Sequence, residues 1–170
     1  MDIFYIYPGT FSPPTLGHVD IICRAAAIFP IVTIVCSKNP NKKDNWFTPE
    51  ECKELWKSYT LPKNVNVLTL AELKQLKLKT KNIVMVRGLR DLDDYEQEKE
   101  VMTLNFKHFG VDKYFYIFSQ KKYKNISSSK VRQEVMNLKL KELNKQVSSL
   151  IIKALLEKRR VKCLLYLKKS

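Results

Sequence analysis

The N-terminal stretch Ile3-Phe4-Tyr5-Ile6-Tyr7 stops at Pro8-Gly9 and continues as Thr10-Phe11-Ser12-Pro13-Pro14-Thr15-Leu16-Gly17-His18. Its first five residues form a short apolar run that ends at turn residues, which is typical of a buried β-strand. From Gly17 onward the apolar residues follow helical spacing, at Ile21, Ile22, Ala25, Ala26 and Phe29. The stretch therefore predicts a strand, a loop rich in proline and glycine, and a helix.

The same alternation continues through the rest of the chain. Each later apolar run is short and almost continuously hydrophobic, as in parallel strands that are buried on both faces. The predicted strands are 3–7, 31–36, 65–70, 83–86 and 114–118, and the predicted helices are 17–29, 49–60, 71–79, 91–107, 128–137 and 143–158. This order predicts an α/β fold: a doubly wound, Rossmann-like, five-stranded parallel sheet with helices on both faces and a C-terminal helical segment.

Length and composition indicate one globular domain. A chain of 170 residues with 45% hydrophobic side chains buries enough surface to fold without a disulfide or a metal. We expect the domain to span residues 1–158, followed by a basic and apolar extension over 159–170. No apolar run approaches the length of about 18 residues that a membrane span needs. No basic segment precedes the first apolar run, so we expect no signal peptide and a cytoplasmic location.

The net charge of +14 lies mainly in the last third of the chain. Residues 1–120 carry 16 basic and 14 acidic side chains, whereas residues 121–170 carry 15 basic and 3 acidic ones. Such a segment suits phosphorylated ligands, RNA or an anionic membrane, and it equally suits a solvated helix face. A non-catalytic protein that binds polyanions therefore stays open as an alternative.

Several common cofactor and metal motifs do not occur in the sequence. The four cysteines form no C-x-x-C pair and the chain has two histidines, so we expect reduced thiols and no protein-bound metal. Neither G-x-x-x-x-G-K-[ST] nor G-x-G-x-x-G occurs. These two absences argue against a P-loop and against a nicotinamide cofactor.

Candidate anion-binding residues follow three of the predicted strands. Thr10 and His18 follow the first, Arg87-Gly88-Leu89-Arg90 ends the fourth, and Ser127-Ser128-Ser129-Lys130-Val131-Arg132 begins the helix after the fifth. Arginine suits bidentate contacts to phosphate, and a helix N-terminus attracts anions. Because parallel strands present their carboxyl ends at one edge of the sheet, we expect these groups to meet and bind a polyphosphate.

Each of these stretches also fits an ordinary structural role. The histidine can cap its helix, and the serines can cap theirs. The two arginines can pair with the acids that follow them, Asp91, Asp93 and Asp94. The three positions together, rather than any one of them, indicate a site.

Several motifs resemble those of a known enzyme class. Thr15-x-Gly17-His18 and Ile126-Ser127-Ser128-Ser129-x-Val131-Arg132 resemble the paired signatures of the nucleotidyltransferase superfamily. Closer resemblance is to bacterial phosphopantetheine adenylyltransferases, over about residues 3–157. It rests on Tyr7-Pro8-Gly9-Thr10-Phe11, Asn39-Pro40-x-Lys42-Lys43, Arg87-Gly88-Leu89-Arg90, and Asp94-Tyr95-Glu96-x-Glu98 with Asn105.

That resemblance implies transfer of AMP from ATP to 4′-phosphopantetheine, with Mg²⁺ on the ATP, in a homo-oligomer that is a hexamer in related enzymes. It implies no obligatory nucleic acid and no membrane. His18 would stabilise the transition state. Thr10, Lys42, Leu73 and Arg87 would bind 4′-phosphopantetheine. The implied ATP-binding residues are Thr10, Phe11, His18, Gly88, Leu89, Arg90, Glu98, Tyr123, Lys124, Asn125, Ile126, Ser127, Ser128 and Ser129. A related transferase with another acceptor, such as nicotinamide mononucleotide, is the alternative.

Three residues depart from the pattern of that family. Ser12 stands where the family usually has Asp, Leu16 where it has Asn, and Gln97 where it often has Tyr. None of the three is among the implied phosphate ligands. The replacement at Ser12 raises the question of how the loop after the first strand is organised.

Overall fold

The five apolar runs form a single parallel sheet in the computed structural model, which describes residues 3–38, 45–76, 82–109 and 111–167. The strands are β1 (Phe4–Gly9), β2 (Val32–Cys36), β3 (Val65–Thr69), β4 (Ile83–Leu89) and β5 (Lys113–Phe118). Their order across the sheet is β3-β2-β1-β4-β5, and every adjacent pair is parallel. The predicted α/β sheet is thereby confirmed.

Six α-helices accompany the sheet in the described residues. They are α1 (Leu16–Ala26), α2 (Pro49–Trp56), α3 (Leu70–Gln75), α4 (Leu92–Phe109), α5 (Ser128–Met136) and α6 (Ser149–Leu167), and two 3₁₀ turns cover Lys121–Tyr123 and Leu140–Lys145. None of the described helices is both long and apolar enough to cross a membrane.

Side chains that alternate along the strands form a core on each face of the sheet. Tyr7 and Ile34 point into the larger core with buried residues of α1, α2, α5 and α6. Ile6 and Val35 point into the smaller core, where Leu73 of α3 packs. Tyr95 of α4 meets the ring of Tyr116 on β5 at 5.6 Å, so α4 lies on the smaller core's side. Helices on both faces make the fold doubly wound, as predicted.

The last predicted helix, 143–158, is wrong at both ends. Leu143 and Val147 are buried but belong to the 3₁₀ turn and the link that follows it. The Ser148 hydroxyl accepts the backbone N–H of Ile151 at 3.3 Å and so caps a new helix, α6. That helix continues without a break across residue 158 to Leu167.

Helix α1 ends against the turn that precedes β3. The side-chain amide of Asn64 donates to the carbonyls of Ala26 and Phe29 at 2.8 and 3.0 Å. The last carbonyls of a helix have no partner within the helix, and here a side chain supplies it. Asn64 thus fixes where α1 ends relative to β3.

We predict that Asn64→Ala lowers the free energy of unfolding by about 1–3 kcal/mol, because it leaves two carbonyls without their partner. The midpoint of thermal unfolding, measured at one protein concentration, should fall by about 2–4 °C for each kcal/mol. Asn66→Ala is the matched control, because Asn66 is exposed on β3. Equal midpoints for the two variants would contradict the capping role.

Candidate active site

Most of the predicted site residues that the structure describes lie near the ends of β1 and β4, at the centre of the sheet. β2 and β3 lie beyond β1, whereas β5 lies beyond β4, so the winding direction changes between the two central strands. Ligands of doubly wound sheets bind in the crevice at such a point. A Cβ on Gly88 would lie 2.9 Å from the Ile21 side chain. Gly88 therefore lets α1, one turn after His18, approach the end of β4 closely.

The loop after β1 is built around the buried ring of Phe11. This residue has a φ of 45°, in the left-handed region that non-glycine residues rarely adopt. Its ring meets those of Tyr7, His18 and Trp56 at centroid distances of 5.3, 5.1 and 5.2 Å. A Cβ on Gly9 would lie 2.6 Å from the Phe11 ring. Aromatic packing therefore holds the His18 ring from one side, and Gly9 makes room for that packing.

His18 is the third residue of α1, where it completes the helix cap. The backbone N–H of Thr15 donates to Nδ1 of His18 at 3.0 Å, and the Thr15 hydroxyl lies 3.0 Å from the same nitrogen. In capping boxes a Glu or Gln usually fills this position, as Glu51 and Glu72 do in α2 and α3. Because a backbone N–H can only donate, Nδ1 accepts, and the neutral imidazole carries its proton on Nε2. The cap thus fixes both the ring and its tautomer.

Ser12 holds the same loop against the segment that leads into α2. Its hydroxyl oxygen accepts the backbone N–H groups of Trp46 and Phe47 at 3.0 and 3.1 Å. Ser12 is only 2% exposed, so these amides have no ready access to water. The hydroxyl therefore supplies the acceptor that organises the loop.

The start of α5 lies against the same loop. The Ser127 hydroxyl accepts the backbone N–H of Lys130 at 3.2 Å and caps the helix. The Ser128 hydroxyl donates to the carbonyl of Pro13 at 2.8 Å. A Cβ on Gly17 would have the Ile126 carbonyl and the Tyr123 side chain as neighbours, both at 3.9 Å. Segment 123–129 therefore adjoins the start of α1, as predicted for residues that share one site.

Arg132 holds the loop after β1 from the start of α5. Its position predicts that, with Lys130, it faces a bound anion. Its guanidinium also donates to the carbonyl of Ser12 at 2.6 Å and to the Ser129 hydroxyl at 3.3 Å. Its position opposes the helix dipole, but these hydrogen bonds give it a structural reason.

Each arginine at the end of β4 is paired with a carboxylate. Arg87 donates from Nε and Nη2 to Glu98 at 2.8 and 2.5 Å, and from Nη1 to the Pro8 carbonyl at 2.9 Å. Arg90 donates from Nε and Nη2 to Asp94 at 2.8 and 2.6 Å. The expected alternative, a pairing of arginine with a following acid, is thus correct for Arg90.

The charges of both arginines are secured by these contacts. Burial opposes the charge of Arg87, but hydrogen bonding and electrostatic attraction to Glu98, with smaller contributions from Tyr7 and Tyr116, together outweigh it and raise the pKa of the guanidinium. Hydrogen bonding to Asp94 raises the pKa of Arg90, and the same pair lowers the pKa of Asp94. Burial, with Glu98 nearby, raises the pKa of Tyr116 to about 12. The end of β4 therefore presents two permanent cations.

The remaining predicted site residues lie in different surroundings, and some are more accessible to a ligand than others. The hydroxyl of Thr10 makes no hydrogen bond to another described residue, and Lys124 and Asn125 are exposed. Leu73 is 9% exposed, within the smaller core. Lys42 lies outside the described residues.

Comparison with known proteins gives this arrangement a family. Residues 6–134 match the family model described as cytidylyltransferase-like. The phosphopantetheine adenylyltransferase of Corynebacterium efficiens is 41% identical over 126 residues, which are 73% of this chain and 79% of that one. The chain belongs to the phosphopantetheine adenylyltransferase family. The family member from Mannheimia succiniciproducens is 33% identical over 156 residues, 91% of this chain and 97% of that one.

Solved structures confirm the fold of this phosphopantetheine adenylyltransferase family member. The nicotinic acid mononucleotide adenylyltransferase of Plasmodium falciparum, complexed with NaAD, superposes with a TM-score of 0.62. The alignment covers 92% of this chain and 96% of that one, at 13% sequence identity. At that identity the likeness concerns the fold alone.

Two features of the site were not assigned from the sequence. In one of them the Ser12 hydroxyl accepts hydrogen bonds from two backbone amides, which no local sequence pattern predicts. The other is the pairing of Glu98 with Arg87. A signal existed for the second, because Asp94 and Glu98 are four residues apart and so share one face of a helix.

We predict that Ser12→Ala lowers the free energy of unfolding by about 1–3 kcal/mol, because the Trp46 and Phe47 amides lose their acceptor in a buried place. Thermal unfolding measures the change. Ser149→Ala is the matched control, because Ser149 is exposed in the first turn of α6. If Ser12→Ala were no less stable than this control, the Ser12 hydroxyl would not organise the loop.

Proposed function

We propose that the protein is an adenylyltransferase of coenzyme A biosynthesis. It transfers AMP from ATP to 4′-phosphopantetheine and gives dephospho-coenzyme A and pyrophosphate. The observation that carries this function is the family membership, with relatives of that name at 33–41% identity over most of the chain. The site supports this proposal, because His18 follows β1 and the two arginines lie at the end of β4, and these two strands flank the switch point of the sheet.

The reaction is an in-line displacement at the α-phosphorus of ATP. A phosphate oxygen of the acceptor forms the new P–O bond, and the bond between the α-phosphorus and the bridging oxygen breaks. Pyrophosphate leaves with the electron pair. Because the acceptor oxygen is already anionic, the protein needs to supply position and charge rather than a strong base.

His18 is the residue we assign to the transition state. Thr15 holds Nδ1 as an acceptor, so the ring has its N–H on Nε2 for donation to an α-phosphate oxygen. A donor fixed in advance stabilises the charge that grows on such an oxygen. Its orientation needs no adjustment during the reaction, because the Phe11 ring and the helix cap already hold it.

The two substrates would meet different parts of the same edge. We assign the acceptor phosphate to Thr10, Lys42 and Arg87. We assign ATP to Arg90, to the ends of β1 and β4, and to the segment 123–129. The N–H of Lys130 donates to the Ser127 hydroxyl, but those of Ser128 and Ser129 in the same first turn of α5 face no intrahelical carbonyl and suit phosphate oxygens.

Mg²⁺ is proposed to enter with ATP. Within the described residues no group of three or more His, Cys, Asp or Glu side chains could hold a metal ion. A magnesium ion bound chiefly by phosphate oxygens and water fits such a site, because Mg²⁺ keeps several waters and needs few protein ligands.

A different acceptor is the second candidate. Adenylyltransferases of nicotinamide or nicotinic acid mononucleotide share the fold, but these solved structures are at most 20% identical to this chain. Light scattering after size-exclusion chromatography would test the proposed homo-oligomer, which is a hexamer by resemblance.

Salt-sensitive binding of RNA would support the alternative of a non-catalytic protein that binds polyanions.

Pyrophosphate release with Mg²⁺ and ATP should depend on 4′-phosphopantetheine and stop when EDTA removes the metal ion. The assay measures pyrophosphate with and without this acceptor, and nicotinamide mononucleotide is the control acceptor. Pyrophosphate release only with nicotinamide mononucleotide would show that this compound, and not 4′-phosphopantetheine, is the acceptor. No release from folded protein with either acceptor would contradict the enzyme assignment.

We predict that His18→Ala reduces kcat about 10²–10³-fold, as loss of a transition-state donor does elsewhere. His18→Gln separates catalysis from capping, because glutamine still offers an acceptor for the Thr15 N–H. This variant should keep the unfolding midpoint of the wild type but lose at least about tenfold in kcat. Wild-type turnover of His18→Gln would show that His18 acts only as a cap.

A further inference from the structure

The second half of α6 lies against the segment that leads into α2. The ammonium group of Lys162 lies 5.1 Å from the centre of the Trp46 ring, and that of Lys158 lies 5.5 Å from the centre of the Phe47 ring. The face of an aromatic ring attracts a cation at this distance. Both rings are buried, with exposed fractions of 5% and 7%. The second half of α6 therefore holds this pair of rings in place.

Lys158 also binds the first turn of α2. Its ammonium group donates to Oε1 of Glu51 at 2.6 Å, while Oε2 of the same carboxylate accepts the Thr48 N–H at 2.8 Å in the helix cap. The next residue, Cys52, donates its S–H to the carbonyl of Thr10 at 3.4 Å. The first turn of α2 thus lies between α6 and the loop after β1.

Arg159 binds the end of α5. Its Nε donates at 3.3 Å to the carbonyl of Met136, the last residue of that helix. The last carbonyls of a helix lack a partner within the helix, so this contact completes the end of α5. At the other end of α5, Arg132 and Ser128 donate to two carbonyls of the loop after β1. Helix α5 therefore also lies between α6 and this loop.

The contacts of α6 converge on residues 10–13 of the loop. The Trp46 and Phe47 amides donate to the Ser12 hydroxyl, so each segment that the second half of α6 contacts is itself hydrogen-bonded to the loop. The polar backbone groups of a buried loop must find partners in other segments. The shape of the loop therefore depends on segments that residues 158–162 hold.

We propose that Lys162 is a positioning residue for the reaction, and that residues 158–162 of α6 stabilise the loop that carries Thr10 and leads to His18. Lys162 acts through the Trp46 ring and then through Ser12, without a contact to either substrate. The inference rests on the proposed function for the reaction that it affects. It gives the extension, in which the sequence places Lys162, a part in catalysis.

The charge of Lys162 can be tested separately from its packing. Methionine is also long and unbranched, so Lys162→Met keeps an apolar stem near Trp46 but removes the cation. Arginine keeps the cation, and a guanidinium is also attracted to the face of an aromatic ring. Lys153→Met is the matched control, because Lys153 is exposed on the same helix.

Lys162→Met should lower kcat for pyrophosphate release about two- to fivefold, the range that one partly exposed cation–π contact allows. Lys162→Arg and Lys153→Met should keep the kcat of the wild type. The double variant Lys158→Met with Lys162→Met should lose more than Lys162→Met alone, because both rings then lack their cation. Equal losses in Lys162→Met and Lys162→Arg would overturn the proposal, and so would wild-type kcat in both.

A loss of stability alone is excluded by a second comparison. Asn64→Ala removes hydrogen bonds at the end of α1 that is opposite to His18. At an assay temperature below the unfolding midpoint of every variant, Asn64→Ala should keep the kcat of the wild type. If kcat falls in Asn64→Ala as it does in Lys162→Met, Lys162 has only a structural role and the proposal is wrong.

A double-mutant cycle shows whether Lys162 acts through Ser12. Ser12→Ala removes the acceptor that joins the loop to Trp46 and should itself lower kcat. Lys162→Met should then add little to that loss, because the two substitutions interrupt the same path. Losses in kcat that multiply would show that Lys162 does not act through Ser12.

Acrylamide quenching of fluorescence tests the contact with Trp46 without the reaction. The chain has two tryptophans, Trp46 and Trp56, and both are buried, so the wild type should be quenched weakly. Lys162→Ala should be quenched more strongly, and the exposed control Lys153→Ala should not. Unchanged quenching in Lys162→Ala would overturn the proposal. Stronger quenching in a protein whose wild type releases no pyrophosphate would support the contact and contradict the proposed function alone.

Discussion

The loop between β1 and α1 depends on hydrogen bonds that other segments supply. It has no regular secondary structure, so its buried polar atoms must find partners elsewhere. The Ser12 hydroxyl serves two amides before α2, and Arg132 and Ser128 of α5 donate to the carbonyls of Ser12 and Pro13. One short loop thus joins β1, α2 and α5, and the position of His18 follows from it.

Strain in this loop is compensated by packing. The left-handed Phe11 backbone is of a kind that costs about 1–3 kcal/mol and persists where the surroundings determine it. Here the ring is 4% exposed among Tyr7, His18 and Trp56. Burial of a phenyl ring stabilises the folded state by about as much free energy as the backbone strain costs. The same packing that permits the strained turn also orients the imidazole.

Much of the fold could be predicted because it follows from local patterns. Continuous apolar runs mark buried parallel strands, and Thr48 with Pro49 and Glu51 marks the start of α2, as the structure confirms. The edge that carries the site follows from the order of strands and helices. The start of α6 could not be read in this way, because apolar residues before it pack equally well in a 3₁₀ turn.

The hydrogen-bond partners of the site's side chains were harder to predict than the positions of those side chains. The sequence places Arg87 at the end of β4 and Arg132 in the helix after β5, but it does not reveal which acceptors lie within reach. Two cations at a helix start suggest a bound anion, yet one of them, Arg132, also donates to the Ser12 carbonyl. The acceptor belongs to a residue 120 positions earlier, so only the folded chain brings the two together.

The same reasoning explains how Ser12 fits where an aspartate is usual in the family. What the loop requires at this point is an oxygen that accepts two N–H groups, and a hydroxyl has two lone pairs for that purpose. A carboxylate would also bring a negative charge into a buried position, and a buried charge needs a compensating partner. Serine avoids that need and leaves the Arg132 guanidinium to a backbone carbonyl. The acceptor is kept while the charge is lost, so the organisation of the loop does not depend on an acid at residue 12.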